Sequence, residues 1–332
     1  MVETVEIVLN EHERPLIPSG CHPIEERRYT IGTDEIAKMY DEIKQWVENR
    51  APGGMAYGRP RLGKTYAVRY LKHALPLDFG DNLPIFHYSC EQGKKQANEN
   101  KFYEDLLVSV GHGLPFAGKV PMKSNRLIKY FIEKAQSSGT NRVLLFIDDA
   151  QSLLELEYKI LMDIYNRLEL AAVSLTIILV GQEELVHQRT AFLASKKAQI
   201  VGRFMVHEYK FSGLKTLSEL ETLLDGYDIT SEYPAGSGWS PTKYFFPQAY
   251  LNGFRLKSYA VDLLDIFKEL RAEAGLHKNM EIPMQYLTLT IEYILKKFGV
   301  NGLDQEFLTK INWIEAIRKS GYIENEIFME ML

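Results

Sequence analysis

Cysteine is scarce, with only Cys21 and Cys90 in 332 residues. Two thiols cannot build a disulfide framework, and a chain this long has no need of one, so the expected home is a reducing cytosol. Long hydrophobic runs are also missing. The longest, around 143–147 and 175–180, fall well short of the roughly 18 residues that a membrane span requires, so no membrane association is expected. The first twenty residues carry acids and one short apolar stretch, 5–9, which does not read as a signal peptide. Basic residues are in deficit: 39 Lys and Arg stand against 44 Asp and Glu, a net charge of -5 and a pI near 6.0. That excludes a wholly basic nucleic-acid coat and leaves room for a local basic stripe. Repeats and low-complexity tracts are absent. With 45% hydrophobic and 25% charged residues, wholesale disorder and fibrous structure are excluded. The expectation is a cytoplasmic protein of two domains, or of one domain with a sizeable appendage.

The hydrophobic periods divide the chain. Residues 1–27 are rich in Pro, Glu and His without a sustained period and read as an extended arm. From residue 33 the pattern becomes helical, with Ile36, Met39, Tyr40, Ile43 and Val47 at three- and four-residue steps. Short apolar strands at 55–57, 83–90, 143–147 and 175–180, and a last β-like run at 204–211 that alternates less cleanly, are separated by helical stretches near 65–75, 99–110, 124–137 and 153–170. This alternation predicts an α/β domain over 28–211 with a parallel sheet covered on both faces. After Phe211 only helical periods remain, near 214–224, 259–270, 284–297 and 304–319, so 212–332 reads as a helical lid and docking region. The Tyr244-Phe245-Phe246 cluster is expected to pack there.

One motif carries specific chemistry. Gly58-Arg59-Pro60-Arg61-Leu62-Gly63-Lys64-Thr65 has the full G-x-x-x-x-G-K-[ST] spacing, after a short strand and before a helix. The glycines let successive N–H groups converge on phosphate oxygens at the positive end of the helix. Lys64 reaches the β and γ phosphates, and the Thr65 hydroxyl can ligate Mg²⁺. Residues 58–65 with Tyr66 beside them form the candidate nucleotide-binding set, with ATP and Mg²⁺ as cofactors. Arg61 stands where many such loops carry glycine.

The strand at 143–147 ends in Asp148-Asp149. Ligands gather at the carboxyl ends of parallel strands, which sets Asp148 beside Thr65 as a Mg²⁺ ligand. Asp149 has two readings: a carboxylate that polarises the attacking water, or a cap for the helix that follows. Gln182, after the next strand, either holds the lytic water or senses the γ-phosphate, or it only begins a helix. Arg203 is either a surface ion-pair partner or an arginine finger completing a neighbouring subunit's site. Arg255, in the helical region, is a candidate γ-phosphate contact.

P-loop, interposed strand, Asp-Asp strand end, polar strand tip, Arg-Phe before the last strand and helical lid together resemble an AAA+ ATPase. More narrowly, Asp148-Asp149-Ala150-Gln151, the 179–185 segment and Gly202-Arg203-Phe204 resemble the TnsC and TniB transposition regulators, over about 28–275. The resemblance implies a prokaryotic, DNA-associated ATPase that forms a homo-oligomeric ring or helical filament on double-stranded DNA. Its partners would be a transposase (TnsA/TnsB-like or TniA-like) and a TniQ-like target-selection factor, as in CRISPR-associated transposons. It also implies Arg203 as the finger and Arg255 as the second sensor. Asp149, where Glu is usual, implies slow hydrolysis. The alternatives are a helicase-loader or clamp-loader-like ATPase, and a weakly hydrolysing scaffold that acts through protein contacts.

In TnsC-like proteins the segment between the second and third strands faces the DNA. Here it holds Lys94, Lys95, Asn98, Lys101, Lys119 and Lys123, suited to phosphate contacts that position without reading sequence. Interleaved acids (Glu91, Glu99, Glu104, Asp105) equally fit a solvated helix face. A zinc site from Cys21, His22, His87 and Cys90 is not expected, because the spacings are wrong for paired ligands.

Overall fold

The computed structural model describes residues 13–93, 96–278, 280–299 and 308–331. A helical turn, α1 (Pro23–Glu26), leads to α2 (Asp34–Glu48), β1 (Gly53–Tyr57), α3 (Lys64–Phe79) and β2 (Ile85–Ser89). Next come α4 (Glu99–Ser109), α5 (Val120–Ser137), β3 (Arg142–Asp148), α6 (Glu155–Leu170) and β4 (Ser174–Gly181). After them lie α7 (Glu184–Ala194), α8 (Ala198–Phe204) and β5 (His207–Lys210). The remainder is helical: α9 (Leu217–Asp225), α10 (Pro241–Phe245), α11 (Pro247–Leu251), α12 (Ala260–Glu273), α13 (Met284–Phe298), α14 (Lys310–Ser320) and α15 (Tyr322–Met331). Among the described residues no helix is long and apolar enough to cross a membrane. The chain divides into two compact units, 35–212 and the segment up to Asp34 together with the chain from Gly213.

In the first unit all five strands are parallel, in the order β2-β3-β4-β1-β5. Period-two alternation sends successive side chains to opposite faces. Val143, Leu145 and Ile147 pack with residues of α4, α5 and α6 in one core. Leu144 and Phe146 pack with residues of α2 and α3 in another. Both faces are therefore covered, which is why β3 and β4 read as unbroken apolar runs. Between β1 and β3 lies β4, so the three strand ends that bear the P-loop, Gln182 and Asp148 are consecutive in the sheet.

Three local outcomes differ from the periodic reading. Helix α3 runs past Pro76 to Phe79, where Gly80 ends it. A proline near a helix end forfeits one hydrogen bond, and the packing of the preceding turns outweighs that loss. The run 204–211 is not a single strand: Phe204 closes α8, and only His207–Lys210 pairs with β1. Two helices, α7 and α8, fill the gap between β4 and β5.

The second unit has its own aromatic core, including Tyr227, Phe267, Tyr286, Trp313 and Tyr322. Tyr244, Phe245 and Phe246 are buried in it. Within the stretch expected to be an extended arm, residues 23–26 form the helical turn α1. His22 Nδ1 accepts the Ile24 N–H at 3.1 Å to start α1, and Ile24 is buried in this core. Arg27 Nε donates to Glu292 Oε2 at 2.9 Å, and the Tyr29 hydroxyl donates to Glu292 Oε1 at 3.0 Å. The apolar anchors Ile24 and Ile31 are too far apart to show a period, so the sequence pattern alone does not mark this packing. The expected helix at 304–319 begins outside the described residues, and its described part is α14.

Candidate nucleotide site

The loop from Gly58 to Gly63 joins β1 to α3. Gly58 is required by close approach: a Cβ there would lie 2.2 Å from the Phe211 carbonyl oxygen. Gly63 and Arg61 both hold left-handed backbone, φ 105 and φ 66. That conformation costs a side-chain-bearing residue roughly 1 kcal/mol and suits glycine, so the departure at Arg61 carries local strain. Pro60 removes one donor, and the loop's later N–H groups, 62–65, remain at the start of α3, where the helix dipole is positive.

Lys64 is buried, and its ammonium donates to the main-chain carbonyls of Gly58 and Arg59, each at 2.7 Å. Burial pulls its pKa down to about 8, against the opposing pull of Asp148, Asp149, Glu184 and Glu183. A buried cation held by neutral carbonyls is suited to an anionic oxygen, as a phosphate supplies.

Thr65 Oγ1 donates to Asp148 Oδ2 at 2.7 Å, and the Asp149 N–H donates to Asp148 Oδ1 at 3.0 Å. Burial alone would raise the Asp148 carboxyl, yet these bonds and the neighbouring His87 more than offset it, leaving the carboxyl below its ordinary value. His87 Nε2 is 3.7 Å from Asp148 Oδ2, beyond hydrogen-bond reach, so its influence is electrostatic. A hydroxyl and an ionised carboxylate side by side are the hard oxygen donors that Mg²⁺ takes, which fits a magnesium-bound triphosphate at this loop.

Asp149 adopts left-handed backbone, φ 51, at the start of a 3-10 turn, Ala150–Ser152, and its side chain does not cap that turn. Its carboxylate accepts instead from Gln92 Nε2 and Gln151 Nε2, both at 3.2 Å. Gln182 follows β4 directly. Its N–H donates to Gln151 Oε1 at 3.1 Å, and its carbonyl accepts the Leu185 N–H at 3.0 Å near the start of α7. The sequence gives His87, Gln92 and Gln151 no role at this site. Gln151 belongs to the 148–151 motif, which assigns it no role, and Gln92, just past β2, falls in no motif.

The remaining candidates have other partners. Tyr66 is partly exposed on α3, with the Arg69 guanidinium 5.0 Å from its ring. Arg203, on α8, donates to Asn166 Oδ1 at 2.9 Å and lies 5.6 Å from the Tyr165 ring. Arg255 belongs to the helical unit, stacks 3.4 Å over Tyr250 and donates to the carbonyls of Tyr250 and Phe254. Of the six proposed DNA contacts, Lys94 and Lys95 lie outside the described residues. Asn98 caps α4 by accepting the Lys101 N–H, and Lys101 pairs with Asp105 and Glu91. Lys119 is exposed where α5 begins. Lys123 is a correction. It is 2% exposed, donates to Asn100 Oδ1 at 2.7 Å and is ion-paired with Glu104, so its charge faces inward between α4 and α5.

Residues 48–188 match the family model of the AAA domain. The match spans less than half of the chain. Around it the fold is that of AAA+ P-loop proteins, a five-stranded parallel sheet with flanking helices and a helical C-terminal region. The ORC2 protein of Aeropyrum pernix, in its ADPNP-ADP complexes, has a similar structure with a TM-score of 0.61. The identity is 12%, over 90% of this chain and 71% of that one. Its ADP form aligns with a TM-score of 0.55 at 12% identity, over 87% and 68% of the two chains. Domain III of the Thermotoga maritima replication initiation protein DnaA gives 0.47 at 14%, over 93% and 99%. Among curated proteins, none matches this chain. The buried Lys64 and the Thr65–Asp148 pair lie where the loop after β1 enters α3 in this fold.

Proposed function

We propose that the chain is an ATP-hydrolysing switch that assembles on double-stranded DNA in its ATP-bound form and regulates transposition. The observation that carries the nucleotide part is the 2.7 Å bond between Thr65 Oγ1 and Asp148 Oδ2, next to a buried Lys64 ammonium that donates to two main-chain carbonyls. In this reading Lys64 neutralises charge on the β and γ phosphates, and the N–H groups of 62–65 hold their oxygens in place. Thr65 and Asp148 would hold Mg²⁺, which when bound spreads the phosphate charge. Asp149 orients and polarises the attacking water, its carboxylate one methylene shorter than a glutamate, so turnover is slow. Slow turnover suits a switch that persists on DNA. The archaeal ORC2 protein of the same fold was solved with ADPNP and ADP, which supports a nucleoside triphosphate as the ligand.

Assembly assigns Arg203 to a neighbouring subunit's triphosphate. Its partner in the isolated chain, the neutral Asn166, is one that a guanidinium can leave for phosphate at small cost. Arg255 as a second sensor would likewise have to leave Tyr250. The resemblance of 148–151, 179–185 and 202–204 to TnsC and TniB supports transposition as the output, with a transposase and a TniQ-like factor as partners. Lys119 and the segment that includes Lys94 and Lys95 are the proposed DNA-facing cations. The likeness to an archaeal ORC2 favours a second reading, a loader-type ATPase acting on a replication protein.

Electron microscopy of the full chain with duplex DNA and a slowly hydrolysed ATP analogue tests the proposal. Ordered assemblies that vanish in Arg203→Ala are expected. Intact protein that binds nucleotide and forms no assembly would remove the DNA claim and leave the ATPase.

A further inference from the structure

Gln151 bridges Asp149, just past β3, and Gln182, just past β4. Its Nε2 donates to Asp149 Oδ1 at 3.2 Å, and its Oε1 accepts the Gln182 N–H at 3.1 Å. The orientation of the amide is fixed by these partners. An ionised carboxylate only accepts and a main-chain N–H only donates, so one of the two flips satisfies both. The side chain also lies across Gly181, where a Cβ would come to 2.4 Å from Gln151 Oε1.

We propose that Gln151 is a positioning residue for nucleotide hydrolysis, aiming the Asp149 carboxylate and tying it to the tip of β4. The proposal rests on reading the site as an ATPase. Asp149 needs such a support. Its left-handed backbone, φ 51, leaves it outside regular secondary structure, and its other amide partner, Gln92, is exposed. Gln151 is half-buried and anchored at both ends, so it is the more rigid of the two supports. Primary amides alone among side chains of this shape both donate and accept. Glutamate at 151 keeps the acceptor for the Gln182 N–H and sets a second carboxylate against Asp149. Leucine at 151 keeps the bulk and makes neither bond. A misaimed water-polarising group slows the chemical step and leaves ground-state binding intact, because the phosphate contacts are made by other residues.

The test uses the full chain with Mg-ATP. Steady-state turnover is measured for the wild type, Gln151→Leu, Gln151→Glu, Asp149→Asn and the double variant Asp149→Asn/Gln151→Leu, and affinity for a fluorescent ATP analogue is titrated in parallel. Both Gln151 variants are expected to lose about tenfold in kcat, with KM and analogue affinity within about twofold of wild type. The double variant is expected to be no slower than Asp149→Asn alone, the non-additivity of residues that act as a unit. An unchanged kcat in both Gln151 variants, a loss that adds in full to that of Asp149→Asn, or a raised KM at constant kcat each overturns the proposal while the ATPase reading stands. A wild type that binds the analogue and never turns over removes both.

Discussion

Thr65 Oγ1 and Asp148 Oδ2 meet at 2.7 Å, joining the first turn of α3 to the end of β3 across the strand β4 between them. Residues far apart in the chain thereby present a hydroxyl and a carboxylate to one point. Replacing Asp148 with Asn removes the ionised donor without changing the shape. ATP binding measured with and without Mg²⁺ should then lose most of its magnesium dependence, a loss of about 2–3 kcal/mol. Equal magnesium dependence in Asp148→Asn and wild type would assign the metal elsewhere.

The glycine at 54 is set by packing. A Cβ there would lie 2.6 Å from Cζ3 of Trp46, a rigid ring buried between α2 and the sheet. Gly54→Ala should cost about 1–3 kcal/mol by overpacking, read as a lower midpoint in urea with the slope unchanged.

At position 61 little net change is expected. Arg61 holds φ 66, and Arg61→Gly relieves that strain while loosening the unfolded chain. The two terms nearly cancel, so stability should stay within about 1 kcal/mol of wild type. A larger loss in a denaturant titration would show that the guanidinium itself holds the loop.

His22 supplies a pH dependence. It is buried with its ring stacked 4.4 Å from Tyr244, and its Nδ1 accepts the Ile24 N–H, an arrangement that needs the neutral ring. Burial, helped by the charge of Arg14, lowers its pKa from 6.5 to about 4; Glu25 accepts from the His22 main-chain N–H. Because the folded value is depressed, the unfolded chain binds the proton first. Stability is undiminished above about pH 6.5 and falls as pH drops from there towards 4, by up to roughly 2–3 kcal/mol. His22→Asn keeps a cap acceptor without a titrating group, so thermal melts from pH 7 to 4.5 should fall less steeply than in wild type. Parallel curves would refute the assignment.

Much of this was legible in the sequence where the signal is local. The P-loop is a contiguous motif, and β3 and β4 are apolar runs buried on both faces, so the strand ends bearing Asp148 and Gln182 could be assigned. What escaped depends on residues distant in sequence. Lys123 reads as a surface cation until α4 brings Glu104 and Asn100 against it. The amide of Gln151 gains meaning only when Asp149 and the β4 tip converge on it. Short β5 carries mostly exposed side chains, so it shows no apolar run, and the apolar Phe204 before it belongs to a helix.

The central claim is that residues 58–65 hold a triphosphate with its magnesium at Thr65 and Asp148. Calorimetric titration of the purified full chain with Mg-ATP tests it most directly, with Lys64→Ala as the comparison. One saturable site per chain is expected in the wild type, weakened roughly 30- to 150-fold in Lys64→Ala, the cost of about 2–3 kcal/mol for losing a charged hydrogen-bond donor. No heat in the wild type, or the same affinity in both proteins, would contradict the account.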